Sequence, residues 1–435
     1  MGKYISFGNI NPNYKYILLY IISHLLIKLL LSKKNLRKLG EFDITLLNHK
    51  LINKIFNYSG LFIISIFLFL YENYQKKRSL NKANVLLQKN VTTNIKLIYI
   101  DQLEGRISLI RILIIIFLVF LQNELMSAFS SCGLEGLDFW PFEILFLYFI
   151  YSRILSTSLY RHQKCSVIFV VISSTLFKIF ATITLYLNRK ELIYKTYKIL
   201  IPIGIILYLL FSYLRAYSIT KMKWLMDLKY ISSSELLMIF GLMGAIICSI
   251  ACSITTTVPC TDKLIKYEEM IYICKQTKTV LDNNNKNVTY HYYDNFSIYF
   301  EKYKGITYIC LEIVAVIFKF IKIFSSIQII KYLNPFFFIC ASSIYYFFYR
   351  PIDIIISFIN KEKIDEDIYF NFVAESFAIL GILVYTELIV LNFCNLNYNI
   401  KSNIEKRSLE DTHNIELIGD ENDNKNDDDS FNQII

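Results

Sequence analysis

The side chains best suited to chemistry lie along one face of the first apolar segment, residues 14–31. Tyr16, Tyr20, His24 and Lys28 recur at every fourth residue, a spacing that places them on the same side of an α-helix. A polar stripe on an apolar helix faces protein or water rather than lipid. Either His24 serves a polar site, where it could carry protons near neutral pH, or it is a hydrogen-bonded core residue while Lys28 extends to the interface.

Further polar groups lie inside later apolar segments. Lys178 stands far from either end of the segment 166–187, where a lysine is costly unless it meets an acid, a carbonyl or a cavity. Glu312, Lys319 and Lys322 are spaced by seven and three residues, so they fall near one face of a helix. That arrangement fits a ligand-binding pair and a simple intrahelical neutralisation equally well. Gln122 begins a polar cluster, with Asn123 and Glu124, toward the end of the segment 107–129.

Covalent and metal chemistry have no support in these patterns. No HExxH or GxSxG motif and no close carboxylate dyad falls on an apolar segment. The nine cysteines contain no CxxC pair, so neither a zinc site nor a redox motif is indicated. We therefore expect no enzyme, no catalytic residue, no metal and no cofactor, and a membrane-embedded hydrolase or transferase is disfavoured.

The composition is that of a membrane protein. Hydrophobic residues make up 54% of the 435-residue chain, and the mean hydropathy is +0.41. The net charge of +10 is spread over loops and interleaved with acids, which fits anchoring at a membrane interface better than binding of nucleic acid. The lipid bilayer is therefore the expected partner, and no nucleic acid is expected.

Ten segments are long enough, or nearly so, to cross a bilayer. They predict an all-α membrane protein that divides into 1–192 and 193–399, with a long loop 259–303 and a disordered acidic tail 400–435. In the seventh segment Gly241, Ala245 and Ser249 are four residues apart, which predicts a closely packed helix. The ten segments are 14–31, 60–71, 107–129, 138–160, 166–187, 199–217, 235–258, 306–329, 335–350 and 370–393.

The long loop carries signals of an oxidising compartment. Asn287 and Asn295 each begin a glycosylation sequon, and Cys260 and Cys274 lie in the same loop. Facing a lumen or the cell exterior, these cysteines would either form a disulfide or remain as two thiols. The basic loops after the second, fourth, sixth and eighth segments predict cytoplasmic termini, although the basic cluster 33–38 opposes that assignment.

Several local motifs resemble the drug/metabolite transporter superfamily. Residues 223–226 (KWLM), 234–237 (SELL) and 241–244 (GLMG) are similar to the sixth-to-seventh-span signature of solute carrier family 35, especially its F-type branch and the chloroquine-resistance-transporter-like proteins. Residues 333–335 (LNP) and 385–388 (YTEL) also sit where those relatives have a Pro-led ninth span and a late acid. The sequence departs from them at residues 59–61, which contain no acid.

The resemblance implies ten transmembrane helices, arranged as two inverted five-helix repeats around a central cavity. It further implies a transporter that moves a small organic solute by alternating access, with spans one, three, six and eight lining the cavity. The solute-contacting candidates would be Tyr16, Tyr20, His24, Glu312 and Lys319, with Gln122 and Lys178 behind them.

The basic groups among these candidates would neutralise an anionic or phosphorylated solute, and the tyrosines would offer stacking surface. The resemblance leaves the solute open among nucleotide sugars, amino acids or peptides, and cationic drugs. The expected location is an endomembrane of Golgi, vacuole or lysosome type, or the plasma membrane, and a homodimer is compatible with the sequence. The alternative function is a non-transporting receptor or scaffold.

Overall fold

The computed structural model describes residues 5–7, 12–30, 49–88, 109–131, 140–155, 159–188, 197–229, 231–260, 276–281, 287–302, 306–359 and 367–391, together with residues 398, 400 and 403. The predicted acidic tail lies outside these residues except at 400 and 403, and so does the predicted division of the chain near 192.

Helices dominate the described residues, and each of the ten predicted apolar segments overlaps one long helix. The fourth, 138–160, is too long at its end, because its helix stops at Ile154 and residues 159–160 are not helical. A short loop helix, Phe296–Lys302, precedes the last three long helices. The long helices are α1 Lys15–Leu30, α2 Lys50–Gln88, α3 Leu109–Ser131, α4 Trp140–Ile154, α5 Arg161–Asn188, α6 Tyr197–Leu228, α7 Ser233–Thr257, α8 Ile306–Tyr332, α9 Pro335–Ile359 and α10 Asp367–Tyr385.

Among the described residues, five helices are long and apolar enough to cross a membrane. The described residues are mostly helical and include several potential membrane spans, as expected of a membrane protein. The five candidate spans are Lys50–Arg78 of α2, Arg161–Thr184 of α5, Ser233–Thr257 of α7, Cys310–Tyr332 of α8 and Ile368–Tyr385 of α10.

The tenth predicted segment, 370–393, is wrong at its end. Its helix stops at Tyr385 because Glu387 adopts a left-handed backbone conformation with φ of 61°, which an α-helix does not accommodate. The chain continues as β4, Ile389–Leu391, which pairs antiparallel with β1, Ile5–Phe7. The backbone N–H of Leu391 donates to Nε2 of the buried His162 at the start of α5, so this small sheet is joined to the helices.

The antiparallel packing of α2 on α7 depends on glycine. A side-chain carbon on Gly241 would lie 2.7 Å from the backbone nitrogen of Phe62, and one on Gly244 would lie 2.5 Å from the ring of Tyr58. Below Gly241 the buried small residues of α7 are Gly244, Cys248 and Cys252, with spacings of three and four. The expected close-packing stripe through Ala245 and Ser249 is therefore displaced, and only Gly241 is common to both.

The antiparallel pair α5 and α10 is joined through small and hydroxyl-bearing residues. The Ser166 hydroxyl donates to the Gly381 carbonyl at 2.5 Å, and the Ser174 hydroxyl donates to the Ala374 carbonyl at 3.0 Å. All four residues are buried. These interhelical hydrogen bonds satisfy hydroxyls in an apolar surrounding, where an unpaired polar group is costly.

The carboxyl-terminal part of the long loop caps the start of α2. Within the loop, strand β2, Gln276–Leu281, pairs antiparallel with β3, Asn287–Tyr292. Asp294 lies between β3 and the loop helix, and its side chain is fully buried. Its carboxylate accepts hydrogen bonds from the backbone N–H groups of Leu51 at 2.7 Å and Ile52 at 3.2 Å, and Oδ1 lies 2.5 Å from Nδ1 of His49. An acid at the first turn of a helix satisfies free donors and complements the helix dipole, so Asp294 fixes the start of α2 to the loop.

The structure bears on the predicted disulfide and the predicted glycosylation sites of this loop. Cys260 is disulfide-bonded, whereas Cys274 lies outside the described residues, so the pairing of these two stays a prediction. Asn295 is 4% exposed; its Nδ2 donates to the Thr256 carbonyl, and its Oδ1 accepts from the Ile298 N–H at the start of the loop helix. A buried capping amide has no room for a glycan, which argues against Asn295 as an acceptor. Glycosylation of Asn287, at the start of β3, stays a prediction.

Replacing Asp294 with alanine is expected to lower the stability of the protein by roughly 2–4 kcal/mol, because the His49 ring and the backbone N–H groups of Leu51 and Ile52 lose their partner at once. Asp227→Ala is the matched control, since Asp227 is 39% exposed and its partner Lys223, four residues away within α6, keeps its hydrogen bond to the Lys331 carbonyl. Thermal unfolding of the purified proteins in detergent measures both. Equal melting temperatures for the two variants would contradict the capping role of Asp294.

Candidate functional site

A cavity of about 610 Å³ lies between helices drawn from both halves of the chain. Its volume is in the range of small-molecule binding sites. The four helices expected to line it, α1, α3, α6 and α8, all contribute, and so do α2, α7 and α9. Its polar lining consists of Tyr20, His24, Lys54, Asn57, Tyr58, Gln122, Asn123, Glu124, Arg215, Ser218, Lys319, Lys322 and Ser326.

Four of the seven predicted solute-contacting residues line this cavity: Tyr20, His24, Gln122 and Lys319. The other three are not among the described residues that line it, and each has a physical reason. Tyr16 stacks on Tyr332 with ring centroids 5.8 Å apart. Lys178 is buried on α5, the helix that packs against α10. Glu312 is two helical turns from Lys319 along α8 and interacts with that lysine electrostatically.

One wall of the cavity combines α1, α8 and α9 around His24. The Nζ atom of Lys322 lies 3.0 Å from Nε2 of His24. The imidazole stacks on the ring of Tyr345 with centroids 3.7 Å apart, and Tyr20 meets it edge-on at 5.8 Å. Lys322 also lies 5.8 Å from the Tyr20 ring centroid, within range of a cation–π contact. The predicted polar stripe on α1 thus faces protein at Tyr20 and His24.

A second wall joins α2 to α3. Lys54 forms an ion pair with Glu124, and the Tyr58 hydroxyl donates to the same carboxylate at 3.3 Å. The Tyr58 ring packs on Gly244 of α7, so the close approach of α2 and α7 sets the position of its hydroxyl. The carboxylate is thereby held by two groups from α2.

The third wall is built by α6 with α4 behind it. The Arg215 guanidinium donates to the carboxylate of Glu143 at 3.1 Å and lies 5.6 Å from the ring centroid of Phe338. Glu143 is 1% exposed, and its ion pair with Arg215 compensates the charge of the buried carboxylate. Arg215 reaches the cavity while Glu143 supports it from outside the lining.

The lining carries an excess of positive charge. Lys54, Arg215, Lys319 and Lys322 are basic residues, whereas Glu124 is the one acid among the described lining residues. Apolar side chains such as Leu61, Phe240 and Phe320 provide the remaining surface. Such a site suits a small molecule with a negative group and an apolar or aromatic body. Within the described part of the chain, no group of three or more His, Cys, Asp and Glu side chains is placed to hold a metal ion.

Sequence reasoning missed Lys54, Glu124 and Arg215 as site residues. Lys54 precedes the predicted second segment, 60–71, and Glu124 lies near the end of the predicted third segment, 107–129. Arg215 carried a usable signal, because it lies inside the apolar segment 199–217, where an arginine needs a partner or water.

No known family model matches the chain, and no curated protein matches it either.

Replacing Arg215 with glutamine is expected to destabilise the protein by roughly 3–5 kcal/mol, because it leaves the buried Glu143 carboxylate without its cation. Adding Glu143→Gln should recover most of the loss, since the double variant contains no uncompensated charge. Melting temperatures of the single and double variants in detergent provide the comparison. Additive losses in the double variant would show that the two side chains are not energetically coupled.

Proposed function

We propose that this chain is a multi-pass membrane transporter that moves a small organic solute by alternating access. In this proposal ten transmembrane helices form two inverted five-helix repeats, α1–α5 and α6–α10, as in the drug/metabolite transporters that the sequence resembles. The observation that carries the proposal is the cationic cavity, which is lined by helices of both halves.

The pattern of helix contacts supports two related halves. If the two halves are related, exchanging each helix for the helix five places along the chain should turn contacting pairs into contacting pairs. Three contacting pairs, α2·α7, α5·α10 and α4·α9, are unchanged by this exchange. The pairs α1·α8, α1·α9, α2·α8 and α4·α5 map onto α3·α6, α4·α6, α3·α7 and α9·α10, and all of these are also in contact. The less extensive pairs α6·α8, α6·α9, α7·α8 and α8·α9 have no counterpart of similar extent among the described residues. Five helices in each half make the second repeat upside down relative to the first, because an odd number of crossings reverses the chain.

The two ends of the helices carry chemistry typical of opposite sides of a membrane. The disulfide-bonded Cys260 follows α7 at the end where α2 begins. At the other end, the Ser234 hydroxyl of α7 donates to Glu72 of α2 at 2.5 Å, and α2 continues into the exposed basic residues 76–78. Disulfides belong to oxidising compartments and basic clusters to the cytoplasm.

The disulfide at one end of the helices and the basic cluster at the other support a lumenal or extracellular long loop and cytoplasmic termini. The loop also contains the Asn287 sequon, which requires the same side. An endomembrane or the plasma membrane satisfies this arrangement equally, because both separate the cytoplasm from an oxidising space.

The cavity supports an anionic solute. Its basic side chains favour carboxylate, sulfonate or phosphate groups, and Tyr20, Phe240 and Phe338 offer faces against which an aromatic or apolar body packs. Transport then needs no covalent step. Rocking of one half against the other exposes the same residues to each side in turn, since both halves contribute to the lining.

A non-transporting receptor or scaffold remains the alternative, and flux separates the two. Purified protein in lipid vesicles, offered radiolabelled nucleotide sugars, amino acids and organic cations, is expected to give saturable uptake that is largest for an anionic member of the panel. Absence of uptake above protein-free vesicles for the whole panel would favour the receptor or scaffold.

Lys319→Gln is expected to lower uptake of the best-transported solute about tenfold, because one charge-assisted contact is lost at a cost of about 1.4 kcal/mol. Tyr16→Phe is the control, since Tyr16 lies outside the cavity lining and phenylalanine preserves its stacking on Tyr332. Uptake is measured at matched protein content in the vesicles. A smaller loss in Lys319→Gln than in Tyr16→Phe would contradict the assignment of the site.

A further inference from the structure

We infer that the cavity wall formed by α2 and α3 recognises a hydroxyl group on the body of the solute, through the side-chain amides of Asn57 and Gln122. The inference rests on the proposed function, to which it adds the chemistry of the uncharged end of the solute. It starts from the two amides themselves, both of which line the cavity.

Gln122 places an amide inside the helix bundle. It stands in α3, is 4% exposed and lines the cavity. Within the described part of the chain its side chain forms no hydrogen bond. An amide offers two donors and one acceptor oxygen, and leaving such a group unpaired in an apolar interior costs free energy. The cavity is therefore the space from which Gln122 receives its partners.

Asn57 adds a second amide from α2. It lies in the stripe of that helix that faces the cavity, and its Oδ1 is buried and accepts no hydrogen bond from the described residues. On either side of it, Lys54 and Tyr58 reach the carboxylate of Glu124 on α3. The amides of Asn57 and Gln122 thus belong to the two helices that this carboxylate joins.

The wall of α2 and α3 differs in charge from the rest of the lining. Lys54 and Glu124 are its charged residues in the described structure, and they pair with each other, so their charges cancel. The other basic lining residues, Lys319 and Lys322 of α8 and Arg215 of α6, belong to the other two walls. An anionic group is therefore best placed against α6 and α8, which leaves the uncharged part of the solute to meet the amides.

A hydroxyl group matches the amides because it both donates and accepts hydrogen bonds. A solute that fills the cavity displaces water from the lining. An apolar group in that place would leave the amides unpaired, whereas a hydroxyl group replaces the hydrogen bonds of the displaced water. A site with such groups discriminates against an analogue that lacks the hydroxyl.

An ammonium group suits this wall less well than a hydroxyl. The carboxylate of Glu124 is already bonded to Lys54 and Tyr58, and an ammonium that approached it would meet the like charge of the lysine.

The test compares solutes that differ by one group at the end opposite to the sulfonate. Benzenesulfonate and the longer biphenylsulfonate are each used unsubstituted, with a terminal hydroxyl and with a terminal aminomethyl group. Calorimetric titration of the purified full-length protein in detergent measures their affinities. The hydroxyl is expected to tighten binding roughly tenfold in at least one of the two series, and the aminomethyl group is expected to give less than the hydroxyl.

Substitutions assign the preference for the hydroxyl to the two amides. Gln122→Met and Asn57→Leu remove the hydrogen-bonding groups at similar side-chain size, so the preference should fall in at least one single variant and vanish in the double variant. Gln328→Met is the control, because Gln328 is 6% exposed on α8 and is not among the described lining residues. It should keep the full preference.

The ratio of two affinities in the same protein is the quantity compared. A variant that folds poorly loses binding of both members of a pair, and the ratio stays the same. The unsubstituted protein alone already tests the preference, whatever the fate of the variants.

Several results would overturn the inference: no binding of any sulfonate, equal affinities with and without the hydroxyl in both series, tighter binding of the aminomethyl compounds than of the hydroxyl compounds, or a hydroxyl preference that survives in the double variant. Vesicle flux separates this failure from failure of the proposed function. Saturable uptake that does not distinguish the members of a pair would leave the transporter standing and end the inference. A hydroxyl preference that the double variant abolishes would support the inference even where the vesicles show no flux.

Discussion

The cost of placing charge inside a bilayer governs this structure. A charged side chain among apolar helices costs several kcal/mol unless it meets an opposite charge or water. The protein meets that cost across helix interfaces, where Arg350 of α9 binds Glu375 of α10 and Arg215 of α6 binds Glu143 of α4. The same constraint applies at the cavity, where two of the basic lining residues, Lys54 and Arg215, are paired with Glu124 and Glu143.

The position of α2 connects the long loop to the cavity. Asp294 holds the first turn of α2, and Gly241 and Gly244 bring its middle against α7. Between these two attachments lie Lys54 and Tyr58, which hold Glu124 at the cavity wall. The loop, the helix packing and the site are thus linked through α2, and a displacement of α2 would move its four lining residues, Lys54, Asn57, Tyr58 and Leu61, together.

Apolar segment length was enough to predict where helices lie, because the hydrophobic pattern depends on the solvent rather than on tertiary contacts. Helical spacing predicted that Tyr16, Tyr20 and His24 share a face, and all three contact other helices. Spacing could not show that Tyr16 stacks on Tyr332 of α8 outside the cavity, whereas Tyr20 and His24 line it. The ion pairs of Lys54 and Arg215 join residues about 70 positions apart, and no local pattern reports such pairing. The end of α10 was missed because a left-handed Glu387 has no sequence signature comparable to glycine.

The central claim is that polar groups between the helices face a chamber that water and solute enter. Cysteine accessibility in lipid vesicles tests it most directly, with Ser326→Cys in the cavity lining and Ile250→Cys on an exposed apolar face of α7. A charged, membrane-impermeant methanethiosulfonate should modify the first thiol and leave the second unmodified, measured against the unsubstituted protein. Modification of Ile250→Cys with protection of Ser326→Cys would mean that the chamber is closed to water and that the account is wrong.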